Sequence, residues 1–184
     1  MFDKILLVPG LNGKFDSEVF EFCKNYSKKR FIEVIEMDFS KYKGDKYNST
    51  FNEQLRELEE RITKTGGVVI VISKSLGCVP TILLKKPIKK ILFSPTISLG
   101  EEEKEIFDKP FKDLDTSPIV INKNRFKKED SIIYGSKDER IAVKDLKSLK
   151  DVRNFEIGSQ DHKLGGLFLK KIIEGELEYH ARKI

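Results

Sequence analysis

The sequence predicts an α/β protein built on a mainly parallel β-sheet. Apolar runs of strand length alternate with segments of helical spacing along the chain. Several of the runs are uninterrupted, which is typical of parallel strands buried on both faces. No repeat, linker or low-complexity stretch divides the sequence. We therefore expect a single three-layer domain over residues 1–184, with about six strands and helices on both faces of the sheet.

Apolar runs and helical spacing define the elements in the first half of the chain. A capping-box pattern at residues 50–53 begins a helix, and Gly66-Gly67 ends it. The five consecutive β-branched residues at 68–72 predict a central, buried strand. In chain order, the predicted elements are a strand at 5–8, a helix at 19–26, a strand at 32–37, a polar loop at 41–48, the helix after Thr50 and the strand at 68–72.

The second half continues the alternation. A helix at 76–84 accommodates Pro80 only if that proline lies near the first turn, where its missing N–H costs little. Residues 94–130 have a weaker pattern, which allows a short helix at 101–111 and a short strand at 119–121. The remaining predicted elements are strands at 89–93, 131–134 and 153–157, and a closing helix through residues 164–172.

Composition excludes several classes of protein. The 184 residues give a net charge of +5, with basic clusters mixed among acids, so we expect a solvated surface and no nucleic-acid partner. No apolar stretch approaches the ~20 residues of a membrane-spanning helix, and the first apolar run is too short for a signal peptide. Cys23 and Cys78 form neither a disulfide framework nor a metal-binding spacing. We therefore expect a cytoplasmic protein with no metal, no cofactor and no membrane partner.

Polar residues of complementary chemistry follow three of the predicted strands. Ser75 follows the strand at 68–72, Asp138 follows the strand ending at Tyr134, and His162 follows the last strand. Open parallel sheets place their sites at the carboxyl ends of the strands, so these side chains are expected to meet there. A serine hydroxyl becomes a good nucleophile when a histidine takes its proton and an acid orients that histidine.

The order Ser, Asp, His at these places resembles the α/β-hydrolase superfamily. The superfamily's GxSxG turn appears here as Ser73-Lys74-Ser75-Leu76-Gly77, with a serine in place of the first glycine. The resemblance extends from residue 4 to about residue 173. It is closest to the compact, lidless serine hydrolases typified by retinoblastoma-binding protein nine, which also open on a PG-containing first loop.

The resemblance implies specific roles for these residues. Ser75 would be the nucleophile, His162 the general base and Asp138 the acid. The backbone N–H groups of Leu11 and Leu76 would form the oxyanion hole, and the strand order would be 2-1-3-4-5-6. Asn12 and Lys74 are further candidates for contact with the substrate. No large lid is expected over the site.

Other residues compete for each role. Ser73 is a rival nucleophile, and Cys78 is better interpreted as a small buried hydrophobe within a helix. Asp138 competes with Glu139 and Asp145, whereas Asp161 is expected to be a turn or cap residue. His180 competes with His162, but it lies in a charged C-terminal segment that we expect to be exposed.

The predicted activity is hydrolysis of an ester, thioester or amide bond of a small substrate through an acyl-enzyme on Ser75. Two alternatives remain open: acyl transfer by the same residues, and an idle hydrolase fold that binds a protein partner. Residues 94–128 are expected to shape the acyl pocket. Phe107, Phe111 and Phe126 are candidates for its apolar walls, with ordinary core packing as the alternative.

Overall fold

Six strands form one parallel sheet in the described part of the chain. The computed structural model describes residues 2–10, 15, 17–39, 50–99 and 119–182, and only the backbone of Thr50. The sheet order is 2-1-3-4-5-6 and every neighbouring pair is parallel, which confirms the predicted order. The strands are β1 Lys4–Val8, β2 Glu33–Glu36, β3 Val69–Lys74, β4 Lys89–Phe93, β5 Ser131–Gly135 and β6 Arg153–Ile157.

Helices connect these strands, except that the described residues between β4 and β5 contain a 3₁₀ turn and no α-helix. Gly66 and Gly67 end the second helix in the left-handed region, with φ values of +62° and +69°, which explains why the chain needs glycine there. Pro80 is the third residue of its helix, as its missing N–H requires. The helices are α1 Ser17–Lys28, α2 Thr50–Thr65, α3 Cys78–Leu83, α4 Val143–Ser148 and α5 Gly166–Arg182, with short 3₁₀ turns at Ser75–Gly77 and Lys123–Arg125.

Apolar side chains from the sheet pack against helices on both faces. On one face, Ile70 and Ile72 of the central strand belong to a core that includes residues of α1 and α5. On the other face, Val71 belongs to a core with α2, and Leu92 of β4 to a core with α3 and α4. The four inner strands β1, β3, β4 and β5 are therefore buried on both faces, as their apolar runs predict, whereas the edge strands β2 and β6 are partly exposed.

Several details differ from the sequence-based expectation, among them the closing helix, which runs to Arg182. Strand β3 extends to Lys74, because Ser73 and Lys74 continue the ladder with β4 although their side chains are polar. Residues 119–121 form only an isolated parallel bridge, between Ser98 and Val120, and not a strand of the sheet. Helix α4 was not predicted, since six residues are too few for a clear apolar period. The predicted loop at 41–48 and helix at 101–111 lie outside the described residues.

Within the described ranges, every helix falls short of the length and apolar character needed to cross a membrane. Cys23 and Cys78 are both buried as free thiols.

Candidate active site

Ser75 lies on a sharp turn where β3 ends. Its φ of +52° falls in the left-handed region, which is rare for a residue with a side chain. The chain passes directly from the extended residue Lys74 into the 3₁₀ turn at Ser75–Gly77. This strained connection leaves the Ser75 side chain half-buried at the carboxyl edge of the sheet. Backbone strain of this kind is concentrated at functional sites.

Close backbone contacts explain the small residues around this turn. A Cβ atom on Gly77 would lie 2.2 Å from the carbonyl oxygen of Pro9, so glycine is required where the turn packs against the end of β1. A Cβ on Gly10 would lie 3.1 Å from both the Lys74 carbonyl oxygen and Ser75 Cβ. Ser73 takes the place of the first glycine of the motif, and its side chain is fully buried beside Cys78.

The structure brings the predicted serine, histidine and aspartate into one hydrogen-bonded chain. The Ser75 Oγ atom lies 2.9 Å from Nε2 of His162. On the other side of the imidazole, Nδ1 of His162 lies 3.0 Å and 3.1 Å from the two carboxylate oxygens of Asp138. The Asp138 side chain is fully buried, whereas 14% of the His162 side chain is exposed. A carboxylate on Nδ1 selects the tautomer whose Nε2 can accept the serine proton.

The turn that carries Asp138 and the loop that carries His162 are joined through their backbones. The N–H of Lys137 donates to the carbonyl of Gln160 at 2.9 Å, and the N–H of Ser136 donates to the carbonyl of Ile157 at 3.0 Å. A Cβ on Gly135 would lie 2.2 Å from the Gln160 carbonyl oxygen. Gly135 therefore permits the close approach that sets the distance between the carboxylate and the imidazole.

The environment of Asp138 favours its ionised form. Burial is the largest single influence and would raise the pKa of the carboxyl, but the hydrogen bond and electrostatic attraction of His162, together with two further donors, bring the pKa below its usual range. The backbone N–H of Arg140, which donates to Oδ1 at 3.0 Å, and the nearby Ser94 hydroxyl act in the same direction. Asp138 is thus suited to remain a carboxylate beside the imidazole.

Two hydroxyl residues at this site were missed in the sequence analysis. Thr96 Oγ1 lies 3.1 Å from Ser75 Oγ. Ser94, fully buried with a φ of +40°, lies near Asp138, although its Oγ has no hydrogen-bond partner of normal geometry. Both residues directly follow β4. Their position directly after a strand of the parallel sheet is the signal in the sequence that identifies them, since sites form at the carboxyl ends of such strands.

The rival serine and cysteine are held away from this chain of hydrogen bonds. Ser73 donates to Cys78 Sγ at 3.4 Å and is fully buried. Burial raises the pKa of the Cys78 thiol to about 12, so the nucleophilic thiolate is disfavoured.

The rival acids have other positions. Glu139 is exposed, and Asp145 accepts a hydrogen bond from the backbone of Leu99 at 3.3 Å. Asp161 accepts from the N–H of Lys163 at 2.7 Å, the turn role expected of it.

The expectation that His180 is exposed was wrong. Its side chain is fully buried on α5. The apolar residues Leu169, Ile173 and Leu177 are also buried, and residue 180 continues their spacing of four, four and three. The charged neighbours of His180 obscured this periodicity in the sequence.

The remaining candidates are only partly described. Leu76 is buried directly after Ser75, and Lys74 is half-buried on its other side. Phe126 belongs to the core on the α3 face, which favours the core-packing interpretation. Leu11 and Asn12 lie outside the described residues, as do Phe107 and Phe111. Whether a lid covers the site depends in part on residues that the structure does not describe, so the open site stays a prediction.

The described part of the chain contains no candidate metal centre. In this part of the chain, no group of three or more His, Cys, Asp or Glu side chains is arranged to hold a metal ion.

Comparison with solved structures shows the α/β-hydrolase fold. A protein from Xanthomonas campestris pv. campestris, assigned as a hydrolase of the alpha/beta superfamily, superimposes with a TM-score of 0.70 at 15% identity over 99% of both chains. A structure from a study of carboxylesterases of the ammonia-oxidizing thaumarchaeon Nitrososphaera gargenis gives 0.71 at 11% identity, over 100% of this chain and 92% of that one.

A mammalian protein shares the same architecture. Alpha/beta hydrolase domain-containing protein 10 from mouse gives a TM-score of 0.71 at 15% identity, over 98% of this chain and 90% of its own. No family model matches the chain, and no curated protein matches it. At these identities the likeness establishes the fold, so any activity has to be argued from the site.

Proposed function

We propose that this protein is a serine hydrolase that cleaves an ester, thioester or amide bond of a small substrate through an acyl-enzyme on Ser75. The observation that carries the proposal is the continuous contact from Ser75 Oγ to His162 Nε2, and from His162 Nδ1 to the carboxylate of Asp138. The strained backbone at Ser75 and its position at the carboxyl edge of the sheet support it.

In the proposed acylation step, Ser75 Oγ attacks the substrate carbonyl carbon while its proton passes to Nε2 of His162. The Asp138 carboxylate accepts the Nδ1–H hydrogen bond and stabilises the imidazolium that forms. The backbone N–H groups of Leu76 and Leu11 are the proposed donors to the oxyanion. Loss of one such donor typically costs about 3–4 kcal/mol of transition-state stabilisation.

The tetrahedral intermediate then collapses to the acyl-enzyme. His162 gives the proton from Nε2 to the leaving alcohol, thiol or amine, and the bond from the carbonyl carbon to that group breaks. In deacylation, His162 takes a proton from water, whose oxygen attacks the ester carbonyl. Ser75 Oγ leaves, regains its proton and is ready for another cycle.

The geometry of the site favours hydrolase chemistry over a binding role. The names of two neighbours of the same fold, one called a hydrolase and one from a study of carboxylesterases, are consistent with it. A fold kept only for binding would have no need to hold Ser75, His162 and Asp138 within hydrogen-bond distance of one another. Acyl transfer would use the same residues with an acceptor other than water.

The test is covalent labelling by a fluorophosphonate probe, which reports an activated serine without requiring the natural substrate. We expect the wild type to be labelled, and Ser75→Ala and His162→Ala to lose labelling. Ser73→Ala is the matched control, because it removes the neighbouring serine hydroxyl, which is buried against Cys78. That variant should be labelled like the wild type.

Absence of labelling in folded wild-type protein would contradict the proposal and favour the binding role. Loss of labelling in Ser73→Ala but not in Ser75→Ala would instead identify Ser73 as the nucleophile. A labelled wild type should next be tested with p-nitrophenyl acetate and an acyl thioester, with and without an amine acceptor, to separate hydrolysis from transfer.

A further inference from the structure

The Ser75 hydroxyl contacts a second side chain besides the imidazole. Thr96 Oγ1 lies 3.1 Å from Ser75 Oγ, compared with 2.9 Å for His162 Nε2. Among the described residues, no further hydrogen bond is found for the Thr96 hydroxyl. Thr96 is 3% exposed, so this hydroxyl is shielded from bulk water. A buried hydroxyl in such a position is expected to use its proton in a hydrogen bond.

The direction of these two hydrogen bonds follows from counting protons. Asp138 accepts from Nδ1 of the neutral imidazole, which leaves a lone pair on Nε2. If Ser75 donated its proton to Thr96, two lone pairs would face each other across the 2.9 Å between Ser75 Oγ and Nε2. Ser75 therefore donates to His162, and the Thr96 hydroxyl donates to Ser75.

The segment that carries Thr96 is fixed at several points. The N–H of Ser94 donates to the Ile133 carbonyl of β5 at 2.8 Å, and the N–H of Thr96 approaches the Ser75 carbonyl at 3.4 Å. Pro95 between them is buried, and its ring restricts the backbone. Threonine is β-branched, which limits its side-chain rotamers. Thr96 is thus tied through both backbone and side chain to Ser75.

We propose that Thr96 is the positioning residue of the nucleophile. Its hydroxyl occupies one lone pair of Ser75 Oγ and holds the hydroxyl proton of Ser75 on His162. The other lone pair is left to attack the substrate carbonyl. The inference rests on the proposed function of Ser75. It adds to Ser75, His162 and Asp138 a fourth residue, from the segment after β4, that orients the nucleophile.

A rate effect on acylation is the expected consequence. Without the Thr96 hydroxyl, Ser75 can rotate away from His162, and fewer molecules hold the reactive geometry at any moment. Small errors in such geometry can cost up to ~10²-fold in rate. Binding of a substrate or probe before the chemical step should change little, since Thr96 acts on the nucleophile.

The experiment measures the rate of labelling by an alkyl fluorophosphonate over a range of probe concentrations. Thr96→Val keeps the branched shape without the hydroxyl, and Thr96→Ser keeps the hydroxyl. Thr81→Val is the matched control, because its hydroxyl is also buried but donates to the carbonyl of Gly77, four residues earlier, and not to Ser75. If valine is not tolerated in the fold, Thr96→Ala gives the same contrast with Thr96→Ser.

We expect Thr96→Val to lower the maximal labelling rate roughly 10- to 100-fold with an unchanged half-saturating probe concentration. Thr96→Ser should stay within about threefold of the wild type, and Thr81→Val within about twofold. Equal rates for Thr96→Val and the wild type would overturn this inference alone. If Thr96→Ser were labelled as slowly as Thr96→Val, the inference would also be overturned, because the packing of the side chain and not its hydroxyl would then set the rate. An unlabelled wild type would overturn the proposed function and this inference with it.

Discussion

At the scale of single residues, the carboxylate of Asp138 determines which tautomer His162 adopts. The Asp138 side chain is fully buried, and its carboxylate faces Nδ1 of His162 at 3.0 Å. Its pKa remains below the usual range despite burial, because the imidazole, the Arg140 N–H and the Ser94 hydroxyl favour the charged form. A carboxylate can only accept a hydrogen bond, whereas an amide in its place can present a donor and reverse the tautomer of the histidine.

Asp138→Asn is therefore expected to lower kcat by ~10³–10⁴-fold with only a small change in thermal stability. The magnitude follows the effect of the equivalent change in serine proteases, where the wrong tautomer is stabilised. Steady-state hydrolysis of p-nitrophenyl acetate and a thermal melt would measure the two quantities.

Two rival acids provide the controls for this variant. Glu139→Gln alters an exposed neighbour, and Asp145→Asn alters the acceptor of the Leu99 N–H. Both should keep kcat within about threefold, because neither side chain contacts the imidazole of His162. A kcat that survives in Asp138→Asn but is lost in Asp145→Asn would assign the acid to α4.

At the scale of elements, two loops have to approach each other closely for the site to form. The turn after β5 and the loop after β6 are joined by hydrogen bonds from Ser136 and Lys137, and by the Ser159 N–H, which donates to Ser136 Oγ at 3.0 Å. The absence of a side chain at Gly135 makes this approach possible. The distance from Asp138 to His162 is therefore set by backbone packing between neighbouring strands.

Gly135→Ala should disturb this approach, since its Cβ would lie 2.2 Å from the Gln160 carbonyl oxygen. We expect a loss of about 2 kcal/mol in the free energy of unfolding, as for overpacked sites. We also expect a ~10²-fold loss of kcat from displacement of His162. Urea denaturation and steady-state kinetics would measure these effects.

Gly158→Ala is the matched control, one strand away. It adds the same methyl group at an exposed position where no atom lies within 4 Å of the added Cβ. We expect its stability to stay within about 0.5 kcal/mol of the wild type. If both alanine variants behave alike, the close approach at Gly135 is not what positions the imidazole.

At the scale of the whole molecule, the two ends of the sheet carry different polar networks. The proposed site lies at the carboxyl end, whereas ion pairs with buried carboxylates lie at the amino end. There Lys90 Nζ of β4 is 3.8 Å from Asp130 Oδ2, and both side chains are 2% exposed. Arg153 of β6 forms hydrogen bonds of 2.9 Å and 2.7 Å with the carboxylate of Glu176, which fixes α5 to the sheet.

The Lys90–Asp130 pair makes stability depend on pH. Burial raises the pKa of Asp130 to about 6, although Lys90 opposes this shift, and burial lowers the pKa of Lys90. Because the pKa of Asp130 is higher in the folded than in the unfolded state, the folded state binds the proton more tightly. Protonation of Asp130 therefore stabilises the folded state. This stabilisation is fully present below the unfolded pKa of about 3.9, and it is lost as pH rises through about 6.

In Lys90→Met, the free energy of unfolding should fall further as pH rises, and the fall should extend to higher pH. The reason is that the positive charge that lowers the pKa of Asp130 is removed. We expect a destabilisation of about 3 kcal/mol at pH 8, where Asp130 would be a buried, unpaired carboxylate, and a smaller one at pH 5. Urea denaturation at the two pH values would measure the difference.

Lys89→Met is the matched control on the neighbouring residue of β4. Lys89 is half-buried, and its Nζ donates to the backbone carbonyl of His180 at 3.3 Å. Removal of this amine therefore leaves no buried carboxylate without its ion-pair partner. Its effect should be the same at pH 5 and pH 8. A Lys90→Met variant whose destabilisation is equally independent of pH would show that Asp130 does not carry the uncompensated charge.

The sequence by itself determined the parallel sheet and the three residues that the structure brings into contact. Uninterrupted apolar runs identified the strands, and the strands in turn identified the residues that follow their carboxyl ends. Ser75, Asp138 and His162 were found in this way because each one directly follows a strand or its turn. These inferences need only local patterns and one general property of parallel sheets.

Only the tertiary structure decided which further groups meet these residues and which side chains are buried. Thr96 and Ser75 are separated by 21 residues in the chain, and their contact depends on how β3 and β4 pair. The burial of His180 depends on which face of α5 packs against the sheet. The need for glycine at Gly135 depends on a carbonyl 25 residues further along the chain. Local patterns cannot report such contacts, because their energies arise between segments that become neighbours only when the chain folds.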